Sequence, residues 1–414
     1  MPNLKYQKKI QKAQKIIEIL KKHNFEAFIV GGAVRDYLLN IETKEDIDIT
    51  TNALPQEIKA IFQTNNHAYY GTIKIIFEQV TFEITTYRKE GTYLDHRHPS
   101  EIFFIQEVQK DVIRRDFTIN ALLMDQKGEI LDFTNGKKDL ESKILRTITN
   151  PYNSFETDAL RMIRAFYFQA KLNFKLENNT QKALQMKTHL LTQISLSKIY
   201  EYLQKIMTYP YWQTSFQTII QTKAHLFFKA ITKAIILFAS LDNNTTKKLQ
   251  IKKNLEESIF WSVALCLEPN IFSFWTVSGK KKKKYQLLKH LSSNLLQELA
   301  FNLFKYGLSN CLSAYKINYL LSNLSINNLF TKNINKIKKT YNNLPLKKMT
   351  DLQIDWQEIL PKISNNSVLT IRQIKQALIK QVLSGKILNK KEKLMDFILN
   401  FITNNKNHKY QIVN

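Results

Sequence analysis

Residues 28–50 read F-I-V-G-G-A-V-R-D-Y-L-L-N-I-E-T-K-E-D-I-D-I-T. Phe28 to Val30 is a short apolar run, Gly31 and Gly32 break it, and Val34 to Leu39 has the spacing of the first turns of a helix. Strand, glycine turn and helix follow in that order, and such a turn presents backbone N–H groups to an anion. Asp46-Ile47-Asp48-Ile49 then alternates carboxylates with β-branched residues, so in a strand both carboxylates fall on one face. Carboxylates so placed repel each other unless a cation lies between them, and hard oxygen ligands of this kind suit Mg²⁺ held together with phosphates. Alone, a glycine pair is a common turn and Asp-x-Asp equally suits a solvated strand edge. Their conjunction in one strand-turn-helix-strand unit points to phosphate and metal, and the G-x-G-x-x-G of a dinucleotide site is absent.

On the N-terminal side, residues 4–23 have the period of a basic amphipathic helix with Ile10, Ile16, Ile17 and Leu20 on one face. On the C-terminal side, Ala53 to Gln63 reads as a helix with Pro55 in its first turn. Two strands follow, Gly71–Glu78 and Val80–Tyr87, joined tightly at Gln79. In the second, Glu83 faces opposite to Phe82 and Ile84, so it joins Asp46 and Asp48 if the strands are neighbours. Three carboxylates on one sheet face would make a metal site. Lys89 to Pro99 is a polar loop, and its His96 and His98 lack the spacing of metal ligands.

Arg114-Arg115-Asp116 opens the amphipathic run Phe117–Leu122, and Asp132-Phe133-Thr134-Asn135-Gly136 marks a turn before the next helix. From Asn153 the chain reads as one helix, with Asn153 and Glu156 spaced as a capping box and Leu160, Ile163, Phe166 and Ala170 on the buried side. Asp158 and Arg161 are i and i+3 on one face and Arg164 continues the row. Taken alone, that row is an intrahelical ion pair on a solvated face.

With 61 Lys plus Arg against 35 Asp plus Glu, the formal charge of +26 favours a polyanionic partner, nucleic acid or an anionic membrane surface. The run Lys280–Lys284 fits a solvated loop, with an RNA contact as the alternative. Phe272, Phe274 and Trp275 before it read as core, with stacking on RNA as the alternative. Cys266 and Cys311 sit in apolar contexts without C-x-x-C spacing, as core thiols of a reducing compartment rather than a disulfide or zinc pair. The N-terminus lacks the apolar segment of a signal peptide and no run approaches transmembrane length, so a cytoplasmic protein is expected.

G-G-x-V-R-D followed by D-x-D resembles the signature of the nucleotidyltransferase superfamily that includes DNA polymerase β, in particular the class II tRNA nucleotidyltransferases and bacterial poly(A) polymerases. F-E-I-T-T-Y-R at residues 82–88 is similar to that family's strand carrying the third acidic residue, R-R-D at 114–116 to its motif engaging ribose and phosphates, and D-x-x-x-G at 132–136 to its hinge. T-D-A-L-R at 157–161 resembles E-D-x-x-R, whose Asp and Arg read the base, with Thr157 in place of Glu and Tyr167 where a further arginine often stands. Ile194–Ile206 resembles the neck helix, with Lys198 departing from the usual pattern. The likeness spans residues 25–207.

The resemblance implies an α+β fold: a polymerase-β-like head with a small mixed sheet over residues 1–145, a helical neck over 146–207, and an all-α, RNA-binding body and tail over 208–414. It implies Mg²⁺ at Asp46 and Asp48 with Glu83 assisting, triphosphate contacts at Gly31, Gly32 and Arg35, ribose contacts at Arg115 and Asp116, and base reading by Asp158 and Arg161 with Arg164. The implied reaction is template-independent addition of C and A to the 3′ end of tRNA from CTP and ATP. The loop at Lys89–Pro99 favours an enzyme able to add the final A. A poly(A) polymerase on the same head is the nearest rival; Tyr70-Gly71-Thr72-Ile73 resembles the tRNA enzymes' strand instead. An enzyme adding only C-C or only A is a second rival, and a catalytically silent RNA-binding module is a third, from a different class.

Overall fold

The computed structural model describes residues 4–41, 46–91, 93, 99–251, 253–322, 327–359, 361 and 371–407. His96 and His98 lie outside them. The chain forms two compact units, Met1–Glu256 with Asn270–Thr276, and Glu257–Pro269 with Val277–Asn414.

The first unit begins with helix α1 (Leu4–Lys22), whose Ile10, Ala13, Ile16, Ile17 and Leu20 are buried as the periodicity requires. Strand β1 (Ala27–Val30) leads through Gly31 into α2 (Gly32–Leu38), and β2 (Ile47–Thr51) into α3 (Pro55–Phe62). Strands β3 (Thr72–Phe77) and β4 (Val80–Thr86) form a hairpin. Its two-residue turn has both Glu78 (φ 46°) and Gln79 (φ 65°) left-handed, the geometry that matches strand twist. Strands β5 (Arg88–Glu90) and β6 (Ile102–Phe104) make a separate antiparallel ribbon that brackets the polar loop. Helix α4 (Val108–Ile113) and strands β7 (Leu123–Met124) and β8 (Ile130–Leu131) complete the sheet region.

Among the described residues one sheet has the order β3-β4-β2-β1-β7-β8. Only its β2–β4 pairing is parallel, so the sheet is mixed as expected. Register places Ile47 beside Phe82 and Ile75, and Ile49 beside Ile84 and Ile73, on a buried apolar face. The same register puts Asp48, Glu83 and Lys74 side by side on the opposite face. A one-residue slip would bury those charges and expose the isoleucines, so hydrophobic burial itself fixes which way the carboxylates point. Strand β1 is buried on both faces, its Phe28 and Val30 packing with Tyr87, Val112, Ala121 and Leu123.

Beyond the sheet lie α5 (Gly136–Glu141), α6 (Pro151–Thr157), α7 (Leu160–Leu172), α8 (Asn178–Lys187) and α9 (Leu196–Thr208). Asp132 accepts hydrogen bonds from the backbone of Thr134, Gly136 and Lys137, tying the turn before α5. Glycine at 136 follows from packing: a Cβ there would lie 2.3 Å from the Thr118 carbonyl oxygen.

One expectation fails locally. The single helix from Asn153 is broken at Asp158, which is extended (φ −132°, ψ 99°), and the cap of α6 is Asn150, not Asn153. The amphipathic run after Asp116 is a short 3-10 turn, Thr118–Asn120.

The second unit is helical. Lys280–Lys284 opens helix Gly279–Asn294 instead of lying in a loop, and helix Leu299–Leu321 kinks at Gly307. Leu352, Ile374, Leu378, Leu394 and Ile398 sit in its core. Cys311 is buried as expected and Cys266 only half-buried; in the first unit Trp275 is buried as expected, while Phe274 is exposed. Among the described residues no helix is long and apolar enough to cross a membrane.

Candidate active site

The residues to which the resemblance gives a role in metal, phosphate, ribose or base binding all line one cleft of about 1040 Å³ in the first unit. Its walls are the carboxylate face of the sheet, the arginines following α4, and the α6–α7 junction.

On the sheet wall, Gly31 occupies φ 76°, ψ −133°, a conformation open to glycine, and its N–H is already given to the Leu122 carbonyl at 3.3 Å. The backbone conformation is what calls for glycine: a Cβ would stand 3.7 Å from Arg115 Nη1 and 3.9 Å from Asp48 Oδ2, both ordinary contact distances. Asp48 and Glu83 are register partners. Between Glu83 and Asp46 lies Lys74, its ammonium 2.8 Å from Glu83 Oε1 and 3.8 Å from Asp46 Oδ2. The hydrogen bond and charge of Glu83, followed by Asp46 and Asp48, hold the Lys74 pKa above its ordinary value.

Among the described residues no three carboxylates, histidines or cysteines converge to cage a cation unaided. Glu83 is on Lys74. Two carboxylates on one face, with an ammonium drawn to them, still fit Mg²⁺, which is commonly held by one or two carboxylates plus substrate phosphates.

The arginine wall turns on a residue that sequence reasoning missed. Asp111 is fully buried and accepts from Arg114 Nε at 2.9 Å, Arg115 Nη2 at 3.0 Å, Thr50 Oγ1 at 3.2 Å and the Arg88 backbone at 3.2 Å. Burial would raise its pKa, but the charges of Arg115 and Arg114 and these hydrogen bonds outweigh burial and hold it at about 2. Its position four residues before Arg115, on the helix that leads into the two arginines, was the available signal. Glu90 forms a second hub, bound by Arg88, Arg114 and Tyr93. Among the described residues Arg115 Nε is buried without a hydrogen-bond partner.

Asp116 is nine-tenths buried and accepts from Asn120 Nδ2 at 3.0 Å, its neighbour Phe117 N at 2.8 Å and Arg164 Nε at 2.6 Å. Burial opposes its ionisation, yet Arg164 and these donors keep its pKa below the usual carboxylate range. Arg164 lies 5.3 Å from the Phe168 ring centroid. Arg35, expected at the triphosphate, is 1% exposed; it binds Asp36 and Asn120 and stacks 5.0 Å from the Phe168 centroid. It forms the floor of the cleft, bracing α2 against α7. Asp36 is in turn paired with Lys171 at 3.0 Å.

At the α6–α7 junction, Asp158 accepts the Leu160 N–H at 3.0 Å, and Arg161 donates to Ser154 Oγ at 2.8 Å and to the Arg114 carbonyl at 2.6 Å. The break thus fixes Arg161 to both α6 and the arginine wall. Tyr167 joins Phe168, Tyr202 and Tyr209 in an edge-to-face cluster, so the position carries packing where an arginine would carry charge.

Residues 27–146 match the family described as "Poly A polymerase head domain", and residues 173–235 the family "Probable RNA and SrmB- binding site of polymerase A". The chain is 31% identical to the CCA-adding enzyme of Staphylococcus haemolyticus over 93% of its own length and 96% of that protein. It is also 31% identical to that of Bacillus subtilis, over 94% and 97%. The solved structure of the Bacillus stearothermophilus CCA-adding enzyme with CTP shares the fold (TM-score 0.78, 24% identity, 97% and 99% covered). The fold is also that of the Thermotoga maritima enzyme complexed with tRNA (TM-score 0.65, 18% identity, 94% and 94% covered).

Proposed function

Since the chain belongs to the CCA-adding enzyme family, we propose that it adds C and A to the 3′ end of tRNA from CTP and ATP without a nucleic-acid template. The tRNA 3′-oxygen bonds to the α-phosphorus while the bond to the bridging oxygen of the β-phosphate breaks and pyrophosphate leaves. Asp46 and Asp48 would hold Mg²⁺, which supplies charge stabilisation and a more acidic 3′-hydroxyl when bound. Glu83 stands beside them on the same face and keeps Lys74 in place.

The Gly31–Gly32 turn would face the triphosphate, with the Arg115 guanidinium beside the turn to pair with it. Asp116, held by Arg164 and Asn120, positions the ribose. Asp158 accepts the amino group of cytosine or adenine and Arg161 donates to the ring acceptors. Uracil and guanine present a carbonyl where those bases present the amino group, and a carboxylate covered by the bound base and facing it unpaired costs about 1–3 kcal/mol, or tenfold to a hundredfold in choice. Residues 1–145 act as the catalytic head, 146–207 as the neck and 208–414 as body and tail against tRNA, a use that the charge of +26 suits. A tRNA substrate implies a cytoplasmic setting.

The observation that supports this reading most is the pairing of Asp48 with Glu83 in a cleft that also takes in Asp158 and Arg161. The test is incubation with tRNA lacking one, two or all three terminal nucleotides, supplying CTP and ATP singly and together. Addition stopping at C-C-A is expected; long A tails would indicate a poly(A) polymerase, and no incorporation with Mg²⁺ a silent RNA-binding module.

A further inference from the structure

Tyr69, at the tip between α3 and β3, has no role in the site described above. Tyr70 (φ 49°) and Gly71 (φ 78°) are both left-handed. They are enclosed by reciprocal backbone hydrogen bonds of 3.0 Å between Tyr69 and Thr72. The conformation is free for glycine and strained for tyrosine, and such strain persists only where the surroundings enforce it. Two contacts enforce it here. The Arg88 guanidinium donates to the Tyr70 carbonyl, and Gly71 lies so close to Phe104 that a Cβ would come within 2.7 Å of its ring.

What the turn presents is Tyr69, 73% exposed, with its ring edge-on to Tyr70 at a centroid distance of 4.7 Å. Both tyrosines line the active-site cleft. So large an aromatic stands outside the core, most of its ring face open to the cleft.

Its place in the sheet indicates what it meets. The glycine turn follows β1, Asp48 lies on β2, Glu83 on β4, and the tip precedes β3, the outer strand of the order β3-β4-β2-β1. In nucleotidyl transfer by in-line displacement the attacking oxygen and the departing pyrophosphate lie on opposite sides of the reacting phosphorus. With the triphosphate at the β1 end, the 3′-hydroxyl of the acceptor arrives from the β3 side.

We propose that Tyr69 is a stacking platform for an unpaired base at the 3′ end of the acceptor RNA, a positioning residue kept in place by the Tyr70–Gly71 turn and its Arg88 anchor. Every base has a π-face, so a tyrosine accepts C and A alike, which a 3′ end that changes base as it grows requires. The inference rests on the proposed function.

The test is steady-state addition of A to tRNA ending in C-C, comparing wild type, Tyr69→Ala and Tyr69→Phe. Alanine is expected to raise KM for tRNA about five- to a hundredfold, with kcat at saturating tRNA and KM for ATP within about twofold of wild type by the same reasoning. Phenylalanine should restore the wild-type values. An alanine variant with unchanged KM for tRNA, or with KM raised for ATP instead, overturns the proposal. A second readout is quenching of 2-aminopurine placed at the RNA 3′ end, expected with wild type and Tyr69→Phe and lost with Tyr69→Ala; equal quenching by all three overturns it. If the wild type incorporates nothing, the proposed function fails while the quenching still decides the platform.

Discussion

Replacing Asp111 with asparagine removes the charge that holds two cleft arginines while keeping the shape of the side chain. A carboxyl moved from 3.8 to about 2 by folding contributes roughly 2.5 kcal/mol to stability. Because the folded value is the lower one, that contribution is fully present above pH 3.8 and is lost as pH falls towards 2. The substitution also leaves Arg114 and Arg115 without their buried counter-charge, so at pH 7 the total loss should be about 3–5 kcal/mol. Urea unfolding of both proteins at pH 7, 5, 4 and 3 measures the difference. It should be constant from pH 7 to 5 and begin to shrink below about pH 4. KM for CTP and ATP should rise about tenfold, as Arg115 loses a charge-assisted hydrogen bond. A stability loss under about 1 kcal/mol, or one equal at pH 3 and pH 7, would refute the role of Asp111 as a charge hub.

Three further outcomes are expected. Lys74→Met should tighten Mn²⁺ binding severalfold in an electron paramagnetic resonance titration, since the ammonium beside Glu83 and Asp46 competes for the same charge; unchanged affinity would remove it from the metal's surroundings. Gly136→Ala should cost about 1–3 kcal/mol in thermal or urea unfolding, because the atom it meets at 2.3 Å is backbone and cannot turn aside. Asp158→Ala should reduce the preference for CTP and ATP over UTP by about tenfold to a hundredfold in competition assays, while a preserved preference would place base reading elsewhere.

The sheet wall was legible because its signals are local. Alternation in 46–49, 72–77 and 80–86 fixes the faces, and a two-residue turn fixes the hairpin register, which also sets Lys74 opposite Glu83. The arginine wall was legible only in part. On the cleft floor, the burial of Arg35 was not legible, because its partners Asn120 and Phe168 are distant in sequence. The break at Asp158 escaped a periodicity reading because α6 and α7 both bury apolar residues. Aspartate's habit of accepting a backbone N–H at a helix start was the overlooked sign. Lys280–Lys284 resembled a loop by composition, yet Tyr285, Leu288 and Leu291 behind it are buried and carry the helix back through the lysines.

The central claim is that transfer chemistry resides on the sheet wall and choice of nucleotide on the α6–α7 wall. Single-turnover addition to tRNA lacking its last nucleotide, measured for Asp48→Ala beside equilibrium binding of ATP and tRNA, tests it most directly. Incorporation should fall by at least about a thousandfold with tRNA binding intact; an Asp48→Ala protein that adds nucleotides at the wild-type rate would contradict the claim.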